Sequence, residues 1–523
     1  MEAERRTDRQ PEKLWDEIGN YYGQTKVLRW GIACLIFLFY GTRLFHSNIF
    51  VDSDILMTDP EDMLRSWYGY GRFGLVFLKR FFSMVRLVPA FAGSLLAVEL
   101  WVLTFFLCFV LDDWSGKRKP DTGRNLIFSI FYLSSPIFAE QFNFLLQAPE
   151  IACAMILCVA AAFGTGRTIY QKKSVWWAAV GIVLMGFSFG CYQAFPAFYI
   201  ALVVISFLCV WMFGEERCGI REAFSHIVCF CAGFGLYEAV ASLVRGMTGT
   251  SSEYTDGMIR WFQDGAASCI ASLRLEIQWI YRGMWDVFYS RWTLPVLLAA
   301  LLVMFGYGIR LPQKNKMPRN RFYFVIAMIF LPILPLATAL MTGMNQPVRS
   351  QLTYPFLYAF EVAFLYEAAR KHFKKEVCMV LLLLGMFGGW SQGMKLCQLW
   401  ETSKEGYEQD IMVSRQIYED IRRMDGAGQK VAFIGTRGLL LAGDALPGDV
   451  IGHSVFEWDA DSFVGVSGRA YSWFQSQGME VEKITQAEYQ EALIASGERP
   501  VWPASGSVFW VRDGLLAVKL SEP

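Results

Sequence analysis

Residues 28–60 read LRWGIACLIFLFYGTRLFHSNIFVDSDILMTDP. Leu28 to Phe45 is an apolar run of membrane length, and the acids of Asp52-Ser-Asp54 and Asp59 follow almost at once. A span that surfaces directly into carboxylates reads as a membrane protein with its polar chemistry at the bilayer edge. There a carboxylate can take the proton of an acceptor hydroxyl. A guanidinium such as Arg72, in Trp67-Tyr-Gly-Tyr-Gly-Arg-Phe-Gly74, can hold a lipid-linked phosphate.

Composition agrees with this reading. The 523 residues are 54% hydrophobic, 16% aromatic and only 18% charged, with a mean hydropathy of +0.31, too apolar for an ordinary soluble protein. A formal net charge of +0 leaves no basic surplus for a nucleic-acid partner. The 12 cysteines are scattered through apolar runs without zinc-like spacing to the four histidines, so they read as small buried hydrophobes rather than metal ligands. His46, His226, His372 and His453 form no cluster. Arg5, Arg6, Arg9 and Lys13 precede no signal-peptide core, and 28–45 is expected to be an uncleaved first span.

Runs of about 20 apolar residues predict spans near 28–46, 88–111, 125–141, 148–165, 175–191, 194–213, 223–244, 294–310, 322–341, 353–370 and 375–394, about eleven in all. With residues 1–27 cytoplasmic, the inner loops collect Lys117, Arg118, Lys119 and Arg124, then Arg167, Lys172 and Lys173, Arg217 and Arg221, Arg310 with Lys314, Lys316, Arg319 and Arg321, and Arg370 with Lys371, Lys374 and Lys375. The fold class expected is an all-α polytopic membrane domain over 28–395, with a catalytic first outer loop at 47–87. An odd span count puts 400–523 outside as a small soluble α/β domain. Its elements read as a helix over Glu405–Met424, a strand over 430–435, and a hairpin around Asp513-Gly514. Gly435-Thr-Arg-Gly438 lacks a phosphate-loop pattern, and Gly465-Val-Ser-Gly-Arg469 lacks the serine-hydrolase spacing.

The least expected polar residues fall on the predicted outer side: Asp52, Asp54, Arg65 and Arg72; Glu140, Gln141 and Asn143; Tyr192 and Gln193; Asn345, Gln346 and Arg349. Charges at membrane depth are costly unless paired or hydrated, so their convergence suggests one cavity. Asp52 and Asp54, two apart in an extended stretch, would point the same way as a base and its partner or as a clamp for a divalent ion. Asp59 and Asp62 read as caps of the helix begun at Pro60. Lys79, Arg80 and Arg86 read as side chains snorkelling to headgroups. Arg349 is expected to clamp phosphate or to pair with an acid such as Asp54. Gln193 fits either a sugar hydroxyl or a helix cap, and Glu140 fits either a second acid of the site or a residue at the water interface.

Val51-Asp-Ser-Asp, Trp67-x-x-x-Gly-Arg-Phe-Gly-Leu-Val-x-x-x-Lys79, Ser188-x-x-x-Tyr-Gln193 and the late Arg349 together resemble the Gtr type II glucosyltransferases, known from serotype conversion of O-antigen, over roughly residues 30–395. Many relatives carry Asp-Thr-Glu where this chain has Asp52-Ser-Asp54. The resemblance implies a GT-C type membrane fold in the plasma membrane, an acidic catalytic residue in the first outer loop and a polyprenyl-phosphate sugar donor. On it, Asp52 is the expected base with Asp54 its partner. Arg72, Arg349 and Arg65 are expected at the donor phosphate, and Glu140, Gln141, Tyr192, Gln193 and Asn345 at sugar or acceptor. No cofactor is required, a divalent cation being compatible but optional, and the expected partners are the lipid-linked sugar and an envelope glycan. The rival classes are a lipid-linked-sugar flippase, disfavoured by the lack of a matching polar set in mid-span, and a non-catalytic polysaccharide-assembly subunit.

Overall fold

The computed structural model describes residues 14–45, 48–117, 119–214, 218–310 and 318–522. Arg5, Arg6, Arg9, Lys13, His46, Arg118, Arg217, Lys314 and Lys316 of the sequence reading lie outside them. The chain opens with α1 (Leu14–Gln24) and the long α2 (Lys26–Phe45), then three short helices, α3 (Ser53–Thr58), α4 (Pro60–Gly69) and α5 (Phe73–Phe81). The bundle continues through α6 (Pro89–Trp114), α7 (Thr122–Leu133), α8 (Ile137–Asn143), α9 (Ala148–Ile169), α10 (Trp176–Phe189), α11 (Phe195–Phe213) and α12 (Ile220–Thr248). A second helical excursion, α13 (Glu253–Gly257) and α14 (Ala266–Arg282), leads to α15 (Thr293–Arg310), α16 (Pro318–Phe330), α17 (Ala337–Thr342), α18 (Thr353–His372) and α19 (Lys375–Arg423).

Six of these helices, α2, α6, α9, α11, α12 and α19, are long and apolar enough to cross a membrane. A broken seventh runs from α16 into α17 with a 49° bend. That is fewer than the eleven expected, for local reasons. The run at 125–141 is interrupted: α7 stops at Leu133, Pro136 follows, and a new helix begins at Ile137, because proline has no N–H to donate and disfavours helix in the residue before it. The α18 helix carries Glu361, Glu367 and Arg370. The helices Trp176–Phe189 and Thr293–Gly308 are apolar but short.

The largest departure lies at the junction with the tail. The two helices expected at 375–394 and 405–424 are one helix of 49 residues, since no proline interrupts 395–404 and its residues favour continuation. At about 1.5 Å per residue it is about 74 Å long, more than twice the ~30 Å hydrocarbon core. Beyond it β1 (Lys430–Ile434), β2 (Val508–Arg512) and β3 (Leu515–Lys519) form a sheet in the order β1-β3-β2, with β1 parallel and β2 antiparallel to β3. The turn between β2 and β3 uses Gly514 at φ 77. Two more helices, α20 (Ser467–Ser476) and α21 (Gln486–Ala495), pack on the sheet.

The bundle also buries charge where the sequence reading expected none. At the bundle end away from the tail, Arg124 pairs with Asp112 at 2.8 Å and with Glu367 at 3.4 Å. Asn125 and the Tyr21 hydroxyl donate to the other Asp112 oxygen at 2.6 and 2.9 Å, and Lys117 reaches Glu367 at 2.7 Å. These contacts tie α1, α6, α7 and α18 together. Lys79 does not snorkel: it is fully buried 2.7 Å from the equally buried Glu150 of α9, because it lies on the buried face of α5, and α5 packs against α9.

Candidate active site

The start of the first loop is fixed by a buried arginine. Arg43, at the end of α2, donates to the Asn48 carbonyl and side-chain oxygens at 3.0 and 2.6 Å and to the Asn143 carbonyl at 3.0 Å. Asn48 donates to Ser403 of α19, and Ser403 to Asn143, at 3.0 and 2.7 Å. Two residues beyond Phe50, Asp52 adopts φ 72 as the residue preceding α3. Aspartate is among the few non-glycine residues that tolerate this left-handed conformation. Asp54 lies in the first turn of α3. The acids are therefore not on an extended strand as expected: a helix start turns the chain between them, yet both still reach the same point.

That point is the guanidinium of Arg469, from α20 of the tail. Its Nη1 is 3.1 Å from Asp52 Oδ1 and 3.3 Å from Asp54 Oδ1, while Nη2 and Nε bind Asp459 Oδ2 at 2.8 and 3.1 Å. The Asp52 side chain is 41% exposed, whereas Asp54 is 1% exposed and its Oδ2 has no hydrogen-bond partner. Burial pushes the Asp54 carboxyl up to about 6, Arg469 opposing that rise and Asp52 adding to it. A carboxylate poised there titrates close to neutral pH, which suits proton transfer. Among the described residues no three His, Cys, Asp or Glu side chains are arranged to hold a metal ion.

Arg349 does not pair with Asp54, whose Oδ1 meets Arg469 instead. It stacks over Phe144 at 4.9 Å, Phe144 meets Phe50, and Phe50 meets Trp458 beside Asp459. Arg349, the first loop and the tail are thus joined by one aromatic chain. Arg72 belongs to a second cluster. Its Nε donates to Gln193 Oε1 at 2.9 Å, Gln193 Nε2 donates to the Tyr70 carbonyl at 2.9 Å, and Tyr70 and Tyr192 flank the guanidinium. The turn expected from Gly69 and Gly71 is present, with Gly71 at φ 73. Gln193 holds Arg72 and bonds the carbonyl of Tyr70, the residue that ends α4. Arg65 is exposed on α4, and Asp59 accepts the Asp62 N–H at 3.3 Å as its cap.

Glu140 differs most from its expected place. It is fully buried, and its two oxygens accept the backbone N–H groups of Asp449, Val450 and Ile451 at 2.8, 3.0 and 3.4 Å. Its lone pairs hold a tail loop rather than a ligand. Gly448 permits this approach, since a Cβ there would lie 1.9 Å from Glu140 Oε1. Asp449 in turn accepts the Val348 N–H at 3.0 Å. Asn345 faces inward, donating to the Ser272 carbonyl at 2.8 Å and to Glu276 at 3.3 Å, and Gln346 donates its backbone N–H to the same Glu276 oxygen. Gln141 remains as a candidate ligand group, buried with neither amide atom bonded. Asn143 bonds Ser403 through Oδ1, while its Nδ2 has no partner.

Arg469, Asp459, Asp449 and Glu276 escaped the sequence reading. The signal for Arg469 was local: it shares the buried face of α20 with Ala470, Trp473 and Phe474, where an unpaired arginine does not belong. A comparison with curated proteins returns no match. The family model described as Glucosyl transferase GtrII matches residues 41–366, more than half of the chain, and includes the first loop, Arg72, Arg349 and Glu140. With that match and the acidic loop it covers, the protein belongs to the GtrII glucosyl transferase family.

Proposed function

We propose that this membrane glucosyltransferase takes glucose from a polyprenyl-phosphate donor and adds it to a cell-envelope glycan on the outer side of a bacterial plasma membrane, as an inverting enzyme of GT-C type. The observation that carries the reading is the Asp52–Asp54 pair: one accessible carboxylate and one buried carboxylate with an unbonded oxygen, at the tail side of a helical bundle. In the proposed step the acceptor hydroxyl gives its proton to Asp52 as its oxygen bonds to glucose C1. The C1–O bond to phosphate breaks, the bonding pair leaves with polyprenyl phosphate, and the configuration at C1 inverts. Arg72 and Arg349 serve the departing phosphate, because a guanidinium matches its oxygens and stabilises developing charge. Gln141, with an unsatisfied donor and acceptor, is suited to sugar hydroxyls.

In this arrangement 1–27 are cytoplasmic, 28–395 form the membrane catalytic unit, and 400–523 lie outside. In this reading the two arginines serve the donor phosphate, and a divalent cation is compatible but optional. The test uses the full chain in membranes supplied with polyprenyl-phosphate-glucose and a lipid-linked envelope glycan. Glucose should appear on the glycan with anomeric configuration opposite to that of the donor. Retention of configuration, or counterflow of the lipid-linked sugar with no glycosidic product, would overturn the reading.

A further inference from the structure

We propose that Arg469 is a positioning residue for glucosyl transfer: supplied by the tail, it holds Asp52 and Asp54 in a fixed relation and keeps them ready to accept a proton. The inference rests on the reading of that pair as the proton-accepting group. It assigns a role to a residue beyond the matched 41–366 segment.

Three observations carry it. First, the Arg469 side chain is only 6% exposed and reaches acids 415 or more positions earlier in the chain. Second, its fork is divided: Asp459 takes the Nε/Nη2 edge, which aims Nη1 at Asp52 and Asp54. Third, the tail is registered on the bundle by independent ties. These are the Glu140 clasp on 449–451, the Asp449 bond to Val348, and the Asn48–Ser403–Asn143 chain. Arg469 need not act as the latch, because those contacts already supply one.

The charged groups facing Asp54 are Arg469 from α20 and Asp52 from its own loop, with Asp459 on the far edge of the guanidinium. Arg469 is the strongest of the groups that counter desolvation and the neighbouring negative charge, ahead of the backbone N–H groups of Asp54 and Ile55. Without it Asp54 shifts toward the protonated form and loses its proton-accepting capacity at neutral pH.

The experiment measures turnover against pH for the full chain in membranes with polyprenyl-phosphate-glucose. For Arg469→Gln the acidic limb should move up by at least about one pH unit. Turnover should then be about tenfold lower near pH 6 and largely recovered near pH 8. Arg469→Lys, which keeps the charge, should bring the limb back toward the wild-type position. Asp459→Asn should move the limb the opposite way, to lower pH, because it removes a negative charge that competes for Arg469. A uniform loss in Arg469→Gln with the limb unmoved would mean that Arg469 is only structural and would overturn the proposal. If Arg469→Gln does not accumulate, an unmoved limb in Asp459→Asn has the same force. Near wild-type turnover in both Asp52→Asn and Asp54→Asn removes the underlying reading instead, whatever Arg469 does.

Discussion

The two ends of the helical bundle both bury charge, and they treat it oppositely. Away from the tail, Asp112 and Glu367 are surrounded by Arg124, Asn125, Tyr21, Lys117 and Lys371 until each carboxylate oxygen has a partner. Beneath the tail, Asp54 Oδ2, the Ser53 hydroxyl, both amide atoms of Gln141 and the Asn143 amide nitrogen have none. A buried polar group without a partner costs about 1–3 kcal/mol, so a cluster of them on one side is a poor way to hold helices together. It is a reasonable way to receive a sugar. On the proposed function, the first end serves stability and the second binding and chemistry.

That contrast can be broken experimentally, beginning with the largest expected effect. Asp52→Asn should lower glucosyl turnover by about 10²–10⁴-fold while the protein accumulates and melts normally. Arg124→Ala should do the reverse. Stranding Asp112 and Glu367 should cost about 3–5 kcal/mol, visible as a lower melting temperature in detergent, with turnover per folded molecule retained. If Arg124→Ala instead silences folded enzyme, the division between the two ends fails. Below about pH 6 wild-type turnover should fall about tenfold per pH unit as Asp54 protonates. Its stability contribution has the opposite slope. The folded state binds the proton more tightly than the unfolded chain, whose carboxyl titrates near 3.8, so stability is highest below 3.8 and is lost as pH rises through about 6. Melting temperature and turnover measured across that window should therefore diverge.

Smaller effects sharpen the picture. Gly448→Ala pushes a methyl group into Glu140 and should loosen the tail loop by about 1–3 kcal/mol, seen as faster proteolysis or amide exchange around 446–452. Arg65→Ala, on an exposed face of α4, should change stability by no more than about 0.5 kcal/mol and turnover by no more than about twofold.

The sequence was informative where physics is local. Apolar runs located the helices, Asp59 announced its cap, Gly71 its turn, and Asp513-Gly514 its hairpin. The acidic loop stood out because carboxylates beside a span are costly. What stayed hidden depended on distant partners. Nothing near Glu140 indicates that its oxygens will meet the backbone of 449–451, and backbone donors have no residue signature. Lys79 looked like an interfacial lysine until Glu150 was placed against it. The break at Pro136 and the unbroken Lys375–Arg423 helix were both legible in principle, the first from a proline and the second from the absence of one.

The 415 positions between Asp54 and Arg469 also have a consequence in time. A ribosome adding about 5–20 residues per second needs on the order of 20–80 s to pass from one to the other. Throughout that interval the acidic loop can already be inserted with its bundle growing around it, while the arginine that divides its charge does not yet exist. A nascent chain is therefore expected to transfer sugar poorly below neutral pH until α20 is made.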